Sequence, residues 1–314
     1  MKLISYYTQK NNIRAGWIHQ NNIYDMEQTY RALIEARGED ISPPVSMLDY
    51  LNLPQDKKQW LLTSADAFKH SLPVIGIEKD IRLASPLPRP NSFRDFYAFE
   101  EHVRNARKRR GLDMIPEWYQ FPVFYFSNAC AIKGPEEQIE KPGYTEWLDY
   151  ELEVACVIGK EGRNIKREEA LDYIEGFMVL NDWSARDVQR EEVKVGLGPA
   201  KGKDFATSMG PYLVTKEELE PYRQGEQYNL EMRASVNGKL LSQGNMKTLY
   251  FSFAQMIERA AEDCTLYPGD VIGSGTVGTG CILELGVETH RWLQQGDVVE
   301  LFIENLGMLR NEII

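Results

Sequence analysis

The sequence has no long apolar run. Nowhere among its 314 residues does a stretch approach the roughly 20 apolar residues that a membrane-spanning helix needs. Residues 1–9 also lack the apolar core of a secretory signal peptide. Both absences disfavour a membrane or secreted protein, and we expect a cytoplasmic protein without a membrane partner.

Cysteine is scarce. The sequence has 4 cysteines, and no two of them form a Cys-x-x-Cys pair. Small secreted domains that are stabilised by disulfide bonds contain many cysteines, and structural zinc sites use closely spaced cysteines. The cysteines therefore indicate reduced thiols in a cytosolic protein rather than a disulfide framework or a zinc site.

Positive charge is in deficit. Lys and Arg number 36 against 47 Asp and Glu, which gives a net charge of −11. An acidic chain is repelled by nucleic acid and by anionic membranes, except where a local basic patch exists. We therefore expect no nucleic-acid partner.

A phosphate-binding loop is also missing. The glycine-rich segment Gly196–Pro211 approaches the Gly-x-x-x-x-Gly-Lys-Ser/Thr pattern. However, the interval from Gly198 to Gly202 is one residue too short, and Asp204 stands where Ser or Thr is required. Nucleotide binding is therefore disfavoured, whereas Lys203 can still be presented to a pocket.

The chain does contain enough apolar residues for a sizeable core, at 43% of the sequence. Three prolines within Leu83–Asn91 mark a boundary between two units. We predict a small β-rich N-terminal domain over residues 1–88 and a catalytic domain over residues 89–314. In the first domain we predict strands over Leu3–Tyr7, Ile13–Ile18 and Ile23–Met26, and helices over Tyr30–Ala36, ending at Gly38, and over Lys57–Lys69.

The stretch Leu148–Gly159 alternates between polar and apolar residues, which predicts a β-strand. Asp149, Glu151 and Glu153 share one face, and the second half of the strand is apolar on both faces, as in a buried strand. Carboxylates at the entrance to a core require a cation, and a bound metal ion is one interpretation. The other interpretation is a solvated acidic end of an edge strand.

Two more carboxylates occupy positions where functional sites occur. Asp95 precedes a helix predicted over Tyr97–Arg110, with Gly111 as its stop, and can cap this helix or coordinate a ligand. His102 lies on the same helix. Asp182 ends an apolar strand, where it is either a helix N-cap or a further carboxylate of a site.

Other polar residues lie near these segments. Arg186 and Gln189 share one face if the turn that follows the strand is helical. Ile282–Leu285 is predicted as an apolar strand, an unfavourable place for Glu284 without a partner. The basic run Arg107–Arg110 either complements the dipole at a helix C-terminus or attracts an acidic substrate.

Four carboxylates stand out as candidate ligands of one metal ion: Asp95, Glu151, Glu153 and Asp182. Hard oxygen ligands suit Mg²⁺, Mn²⁺ or Ca²⁺ rather than Zn²⁺. Four carboxylates exceed the charge of a divalent ion, and Lys203 and Arg186 are available to offset the excess.

A family resemblance rests on five motifs: Asp95-Phe96-Tyr97 with His102, Glu151-Leu152-Glu153, Asn181–Gln189, Gly202-Lys203-Asp204-Phe205, and Gly275-Thr276. Their order and spacing resemble those of the fumarylacetoacetate hydrolase superfamily over roughly residues 90–310. The chain looks most like bacterial members that act on acylpyruvates. The resemblance implies an α+β, mostly β fold, in which a mixed β-roll or barrel is flanked by short helices.

The resemblance also implies a role for each matching residue. The metal ligands would be Asp95, Glu151, Glu153 and Asp182. The general base would be His102, with Glu284 as its acidic partner. The residues that contact the substrate or stabilise an oxyanion would be Arg186, Gln189 and Lys203; Tyr97 and Thr276 would also contact the substrate, and Thr207 would lie near the metal. Asp149 has no counterpart as a ligand. Gly111 stands where the fumarylacetoacetases have a substrate-binding Arg, which disfavours fumarylacetoacetate itself.

The activity implied is metal-dependent hydrolysis of a carbon–carbon bond in a 1,3-dioxo acid, such as an acylpyruvate or fumarylpyruvate, through an enolate held at Mg²⁺ or Mn²⁺ (or Ca²⁺). Decarboxylation, tautomerisation and hydration of a 2-oxo acid are alternatives on the same site, and a non-catalytic binding protein is a third possibility. A His102–Glu284 pair favours hydrolysis, because water must be activated. The expected partners are a small 2-oxo or dioxo acid and a second copy of the chain, since the family commonly forms homodimers.

Overall fold

The computed structural model describes residues 1–34 and 42–314. Its α-helices are α1 (Met26–Ile34), α2 (Met47–Leu51), α3 (Gln55–Phe68), α4 (Glu100–Arg109), α5 (Arg167–Ala170), α6 (Arg186–Glu192), α7 (Lys216–Leu219), α8 (Phe253–Ala261) and α9 (Ile282–Leu285). Within the described ranges, no helix has the length and apolar character needed to cross a membrane.

The strands form one large and one smaller sheet, with two additional short ribbons. They are β1 (Lys2–Tyr7), β2 (Ile13–His19), β3 (Asn22–Asp25), β4 (Gly76–Ile77), β5 (Leu83–Ala84), β6 (Ser92–Phe96), β7 (Phe124–Phe126), β8 (Ile132–Lys133), β9 (Leu148–Asp149), β10 (Leu152–Ile158), β11 (Ile174–Asp182), β12 (Ser184–Ala185), β13 (Thr207–Thr215), β14 (Arg223–Gln224), β15 (Gln227–Tyr228), β16 (Glu231–Val236), β17 (Lys239–Asn245), β18 (Asp270–Gly273), β19 (Val298–Ile303) and β20 (Gly307–Glu312). The main sheet has the order β4-β3-β2-β1-β13-β11-β10-β18-β6-β7, with β5 beside β1 and β8 beside β13. The second sheet has the order β17-β16-β19-β20.

Strand β10 lies inside the main sheet, antiparallel to β11 on one side and to β18 on the other. All of its residues are buried. Because successive side chains point to opposite faces, Val154 and Cys156 join one apolar core, and Ala155 and Val157 join another. The prediction that this segment is buried on both faces is confirmed.

The two cores lie on opposite faces of the main sheet. One is shared with the second sheet, through Met232 and Leu301, and with α8, through Ile257. The other is shared with the N-terminal helices, through Tyr50 and Leu61. The strands that carry the site are therefore held rigidly from both sides.

The N-terminal strands continue the main sheet. β1 pairs with β13 in antiparallel register, with Leu3 opposite Leu213. The three predicted N-terminal strands correspond to β1, β2 and β3, and the helix predicted over Lys57–Lys69 corresponds to α3. The predicted helix end at Ala36 and its stop at Gly38 lie outside the described residues. The division at residue 88 stays a prediction.

The segment Leu148–Gly159 was predicted as one continuous strand, and this prediction is wrong because the segment forms two strands, β9 and β10. β9 pairs with β12, whereas β10 pairs with β11, so the two halves belong to different sheets. Between them, Glu151 N donates a hydrogen bond to Asn181 Oδ1 at 2.9 Å instead of joining a strand ladder. The alternating pattern cannot reveal this change of partner.

The strand predicted over Ile282–Leu285 is also wrong, because these residues form the short helix α9. The Asp149 carboxylate accepts hydrogen bonds from Ile282 N at 2.8 Å and Leu283 N at 3.0 Å. The first N–H groups of a helix have no partner inside it, so this distant carboxylate stabilises the helical turn.

Helix α4 begins at Glu100, three residues after the predicted start at Tyr97, and stops as predicted at Gly111, whose φ is +70°. Neither Asp95 nor Asp182 caps the helix that follows it. The helix-cap interpretation of both residues is therefore wrong, and both carboxylates are available for a site.

Candidate active site

Three carboxylates converge on neighbouring strands of the main sheet. Asp95 lies on β6, Glu153 on β10 and Asp182 at the end of β11. In the sheet order, β18 alone separates β6 from β10, which is adjacent to β11. One oxygen from each carboxylate lies within 4.8 Å of the others. The structure therefore brings together three of the four residues that were expected to bind one metal ion.

A glycine on β18 leaves space for this cluster. Gly273 stands opposite Asp95 in the parallel pairing of β18 with β6. A Cβ atom at Gly273 would lie 2.4 Å from Asp95 Oδ1. Asp95 Oδ1 instead accepts a hydrogen bond from Gly275 N at 3.2 Å. Glycine is required at Gly273 because any side chain would displace the carboxylate.

The cluster is unfavourable without a cation. Asp95, Glu153 and Asp182 are at most 3% exposed. Burial raises the pKa of Asp95 and of Glu153 well above the usual range, and neighbouring carboxylates raise it further. Glu153 Oε2 has no hydrogen-bond partner among the described residues. An orphaned carboxylate oxygen in an all-oxygen cluster fits a hard divalent cation, which would remove the cost of burying it.

Glu151 lies beside this cluster and is held by two cations. Arg186 Nη2 donates to Glu151 Oε1 at 2.7 Å, and Lys203 Nζ donates to Glu151 Oε2. Although burial opposes its charged form, these two cations hold the pKa of Glu151 well below its usual range. Lys203 Nζ also donates to Asp182 Oδ2 at 2.6 Å. The two basic residues thus offset the acidic excess, and the assignment of Glu151 as a fourth ligand stays a prediction.

A histidine–carboxylate pair lies on the same cavity. His102, in the first turn of α4, places Nδ1 2.6 Å from Glu284 Oε1. Glu284 Oε2 accepts hydrogen bonds from Thr279 N at 2.9 Å and Asn105 Nδ2 at 3.1 Å. Burial alone would raise the pKa of Glu284, but His102 and these donors lower it, so the carboxylate is ionised. This hydrogen bond fixes the orientation of the imidazole ring and leaves Nε2 of His102 available to a ligand in the cavity.

The remaining predicted residues surround these groups. The Tyr97 ring packs edge-on against the His102 ring, with centroids 5.3 Å apart. Thr276 Oγ1 lies 3.3 Å from Glu153 Oε1. Gln189 Oε1 accepts a hydrogen bond from Arg186 Nη1 at 3.0 Å. Because the Gln189 oxygen is engaged, its NH₂ group is the part available to a ligand.

Sequence reasoning missed two residues that orient the site. The Tyr125 hydroxyl donates to Asp182 Oδ2 at 2.5 Å. Asp149 Oδ2 accepts from Arg186 Nε at 2.8 Å, so Asp149 positions the arginine that holds Glu151. The aromatic strand β7 signals only packing, and no local pattern links Tyr125 to a carboxylate 57 residues away.

Many of these groups line one cavity of about 810 Å³, within the usual range for small-molecule sites. Asp95, Glu151 and Glu153 line it together with Lys203 and Thr276. Two helices each contribute residues at helical spacing: His102, Ala106, Arg109 and Arg110 from α4 and its end, and Arg186, Gln189 and Arg190 from α6. Aromatic and apolar walls are added by Phe124, Tyr125, Trp147 and Leu283.

The sequence matches one protein family over most of its length. Residues 91–314 match the family described as fumarylacetoacetate (FAA) hydrolase C-terminal. This range contains the carboxylate cluster, the His102–Glu284 pair and Lys203.

The curated relatives include tautomerases and hydrolases. The mitochondrial oxaloacetate tautomerase fahd2 of Xenopus laevis is 31% identical over 292 residues, which are 90% of this chain and 82% of that protein. The oxaloacetate tautomerase YisK of Bacillus subtilis is 28% identical over 303 residues, 94% of this chain and 90% of that protein. A 2,4-didehydro-3-deoxy-L-rhamnonate hydrolase of Sphingomonas sp. is 34% identical over 195 residues, 61% of this chain and 65% of that protein.

Solved structures share the fold over the whole chain. A fumarylacetoacetate hydrolase from Exiguobacterium antarcticum superposes with a TM-score of 0.72 at 24% identity, covering 100% of this chain and 99% of that one. Maleylpyruvate hydrolase from Sphingobium sp. SYK-6, in complex with manganese(II) and pyruvate, gives a TM-score of 0.71 at 22% identity with the same coverage. These matches confirm the predicted fold class. The family match over residues 91–314, together with the 31% identity to the Xenopus laevis protein over 90% of this chain, establishes that the chain belongs to the fumarylacetoacetate hydrolase family.

Proposed function

We propose that this protein is a metal-dependent hydrolase that cleaves a carbon–carbon bond in a 1,3-dioxo acid of the acylpyruvate type. The observation that carries this proposal is that His102, which is paired with Glu284, lines the same cavity as Asp95 and Glu153 of the buried carboxylate cluster. The first can take a proton from water, and the second can hold a cation. The cavity, at about 810 Å³, also has room for an acyl chain beyond the pyruvate part of the substrate.

The metal would be Mg²⁺ or Mn²⁺, with Ca²⁺ as a further candidate, because the donors are all carboxylate oxygens. It would be held by Asp95, Glu153 and Asp182, with Glu151 as the proposed fourth ligand. When bound, it supplies a Lewis acid that polarises the oxygens of the substrate. The structure of maleylpyruvate hydrolase in complex with manganese and pyruvate is a precedent for Mn²⁺ within this fold.

His102 supplies the acid–base chemistry. Its Nε2 accepts a proton from water, and the Glu284 carboxylate stabilises the imidazolium that results. The water oxygen bonds to the carbonyl carbon of the acyl group, and the bond from this carbon to the methylene carbon then breaks. The acyl group leaves as a carboxylic acid, and His102 returns its proton to the methylene carbon, which becomes the methyl group of pyruvate.

Two residues can stabilise the oxyanion that forms at the attacked carbonyl. Lys203 donates to Glu151 and Asp182, which leaves one of its three N–H groups for the substrate. Gln189 has its oxygen engaged by Arg186 and presents its NH₂ group. A donor aimed at a developing oxyanion contributes about 3 kcal/mol to lowering the barrier.

The test is a product analysis. The protein loaded with Mg²⁺ or Mn²⁺ is incubated with acetylpyruvate, fumarylpyruvate and oxaloacetate, and the products are identified by mass. Pyruvate together with acetate or fumarate is the expected result. Pyruvate with carbon dioxide, from oxaloacetate alone, would show a decarboxylase instead.

A second candidate is tautomerisation of oxaloacetate. It is favoured by the relatives, because two proteins that align with at least 90% of this chain carry the name oxaloacetate tautomerase. His102 would then move a proton between carbon and oxygen of the substrate, and no bond between carbons would break. Faster decay of the enol absorbance of oxaloacetate, without cleavage of any acylpyruvate, would support this activity in place of hydrolysis.

A further inference from the structure

One cysteine thiol lies beside the histidine–carboxylate pair, where the hydrolytic chemistry does not use it. Cys281 is the residue before the first turn of α9, and its Sγ donates to Glu284 Oε1 at 3.6 Å. The same oxygen lies 2.6 Å from His102 Nδ1. One ligand atom from each of the three side chains lies within 4.8 Å of the other two. A nitrogen, a sulfur and an oxygen donor therefore lie around one point, although 182 residues separate His102 from Glu284 in the sequence.

The three side chains are buried but lie next to the cavity. Their exposed fractions are 4% for His102, 0% for Cys281 and 6% for Glu284. The other oxygen of Glu284 already accepts two hydrogen bonds of its own, so the carboxylate is held in place with Oε1 directed at the thiol and the ring. His102 lines the cavity, and so does Leu283, which precedes Glu284 on α9. The cavity is therefore the route by which a small ion reaches these three side chains.

The distances are close to those of a tetrahedral metal site. Zinc bound to sulfur at about 2.3 Å and to oxygen at about 2.0 Å holds these two ligands about 3.5 Å apart. The distance from Cys281 Sγ to Glu284 Oε1 is 3.6 Å. Nitrogen and oxygen ligands of such a site lie about 3.3 Å apart, so His102 and Glu284 would separate by about 0.7 Å from their 2.6 Å hydrogen bond. A cation between the three atoms would replace the hydrogen shared by the ring and the carboxylate, and also the hydrogen on the thiol.

This donor set differs in kind from the carboxylate cluster. Thiolate and imidazole ligands select soft or borderline metal ions such as zinc, whereas carboxylates suit Mg²⁺ and Mn²⁺. Burial and the nearby Asp149 raise the pKa of the Cys281 thiol well above its usual range, although the charge of Arg186 opposes this rise. Without a metal, Cys281 is therefore a neutral thiol and a poor nucleophile. A thiophilic metal ion removes the proton from a thiol that coordinates it, which Mg²⁺ and Mn²⁺ do poorly.

Occupation of this second group of ligands would disable the general base. A metal ion on Nδ1 of His102 forces the remaining ring hydrogen onto Nε2. Nε2 then donates a hydrogen bond and accepts no proton from water, and Glu284 no longer stabilises an imidazolium. We propose that His102, Cys281 and Glu284 form a second metal site, which takes a thiophilic divalent cation such as Zn²⁺ or Cd²⁺ and thereby inhibits turnover.

The first test is a titration with Cd²⁺, because a cadmium–thiolate bond gives an ultraviolet charge-transfer band that carboxylate-bound cadmium lacks. The full chain with Cys130→Ser and Cys264→Ser is used, since these two cysteines are exposed, whereas Cys156 is buried in the core. With Mn²⁺ present, we expect one cadmium thiolate per chain, which disappears when Cys281→Ser is added. A titration without the band would overturn the site with no Cys281 variant needed, and so would a band that Cys281→Ser retains.

The second test is inhibition by Zn²⁺ with Mn²⁺ in excess, and the rate of each variant is divided by its own rate without zinc. Cys281→Ser should raise the Zn²⁺ concentration for half-inhibition at least about tenfold, since the loss of even a residue that only orients a ligand weakens metal binding by this factor. Cys264→Ser is the matched control, because it removes a thiol outside the cavity, and zinc should inhibit it like the wild type.

Three outcomes of this test would overturn the proposal. Wild-type turnover that zinc leaves unchanged would show that the base is never captured. Inhibition that Cys281→Ser retains, or that additional Mn²⁺ relieves, would place zinc at the carboxylate cluster instead. The cadmium titration needs no substrate, so it decides the site even where the protein cleaves no acylpyruvate and the proposed function fails.

Discussion

Lys58 of α3 places its ammonium group 2.7 Å from Glu175 Oε2 on β11, inside the core between the N-terminal helices and the main sheet. Lys58 is 1% exposed and Glu175 is 8% exposed. Lys58 Nζ also donates to Gly159 O at 2.5 Å, and the Tyr50 hydroxyl donates to Glu175 Oε1 at 2.5 Å. This network joins α2 and α3 to the strand that ends at Asp182.

Replacement of Lys58 by Met should destabilise the protein strongly, because Glu175 would be left buried without its cation. Removal of one partner of a buried ion pair costs about 3–5 kcal/mol. We expect a loss of this size in the free energy of unfolding, measured by urea denaturation. The double variant Lys58→Met with Glu175→Gln should recover a large part of it, because the amide still accepts from Tyr50 and carries no charge.

The exposed pair Lys194–Glu191 offers a matched control for this measurement. Surface ion pairs contribute about 0–1 kcal/mol, so Lys194→Ala should leave the unfolding midpoint almost unchanged. A Lys58→Met protein as stable as the control would show that the buried network contributes nothing to stability.

His102→Ala should remove turnover and leave metal binding intact. General-base catalysis contributes about 10²- to 10⁴-fold to rate, and the His102 ring lies outside the carboxylate cluster. Glu284→Gln should lower kcat as well, because an amide stabilises the imidazolium less than a carboxylate does. Steady-state kinetics measure the rate, and calorimetry with Mn²⁺ measures the metal affinity.

Glu100→Gln, in the first turn of the same helix, serves as the control for these variants, since Glu100 pairs with Arg104 outside the cavity. It should behave as the wild type. Wild-type turnover by His102→Ala would refute the assignment of the base, and a loss of Mn²⁺ binding in this variant would mean that His102 acts on the metal rather than on water.

Glu153→Gln should weaken the binding of Mg²⁺ and Mn²⁺ by at least about tenfold, because it replaces the orphaned oxygen of the cluster by a neutral group. In the wild-type protein, added Mn²⁺ should raise the melting temperature, since a ligand that binds the folded state stabilises it. In Glu153→Gln this rise should be small or absent. A rise equal to that of the wild type would place the metal elsewhere.

The stability of the protein should fall in acid partly through Asp297. Burial opposes its charge, but Arg291, Asn237 and Gln294 N lower its pKa to about 2, below the value of about 3.9 in an unfolded chain. The unfolded state therefore takes up a proton first, so the stabilisation is complete above about pH 4 and is lost as the pH falls towards 2. Asp297→Asn should be less stable than the wild type near neutral pH, and urea denaturation at successive pH values should show this difference shrink in acid.

Much of the site could be predicted because its parts are local. The strand β11 runs into Asp182 at its end, and the alternation of the segment around Glu153 marks it as a buried strand with a carboxylate face. These features depend on periodicity within a few residues, which the sequence displays directly.

What could not be predicted depends on contacts between distant parts of the chain. The four residues of α9 are too few to distinguish a helix from a strand by periodicity, and the hydrogen bonds that favour the helix come from Asp149, 133 residues away. The pairing of Lys203 with both Glu151 and Asp182 likewise requires the folded sheet.

The pairing of β1 with β13 has a consequence for truncation. The family match begins at residue 91, so a shortened protein that starts there is an obvious choice for expression. Such a protein would lose the partner of residues 213 and 214 and expose an unpaired, apolar strand edge beside the strand that carries Asp182. Open edges of this kind recruit strands from other molecules, so the shortened chain should assemble into aggregates that the full chain avoids.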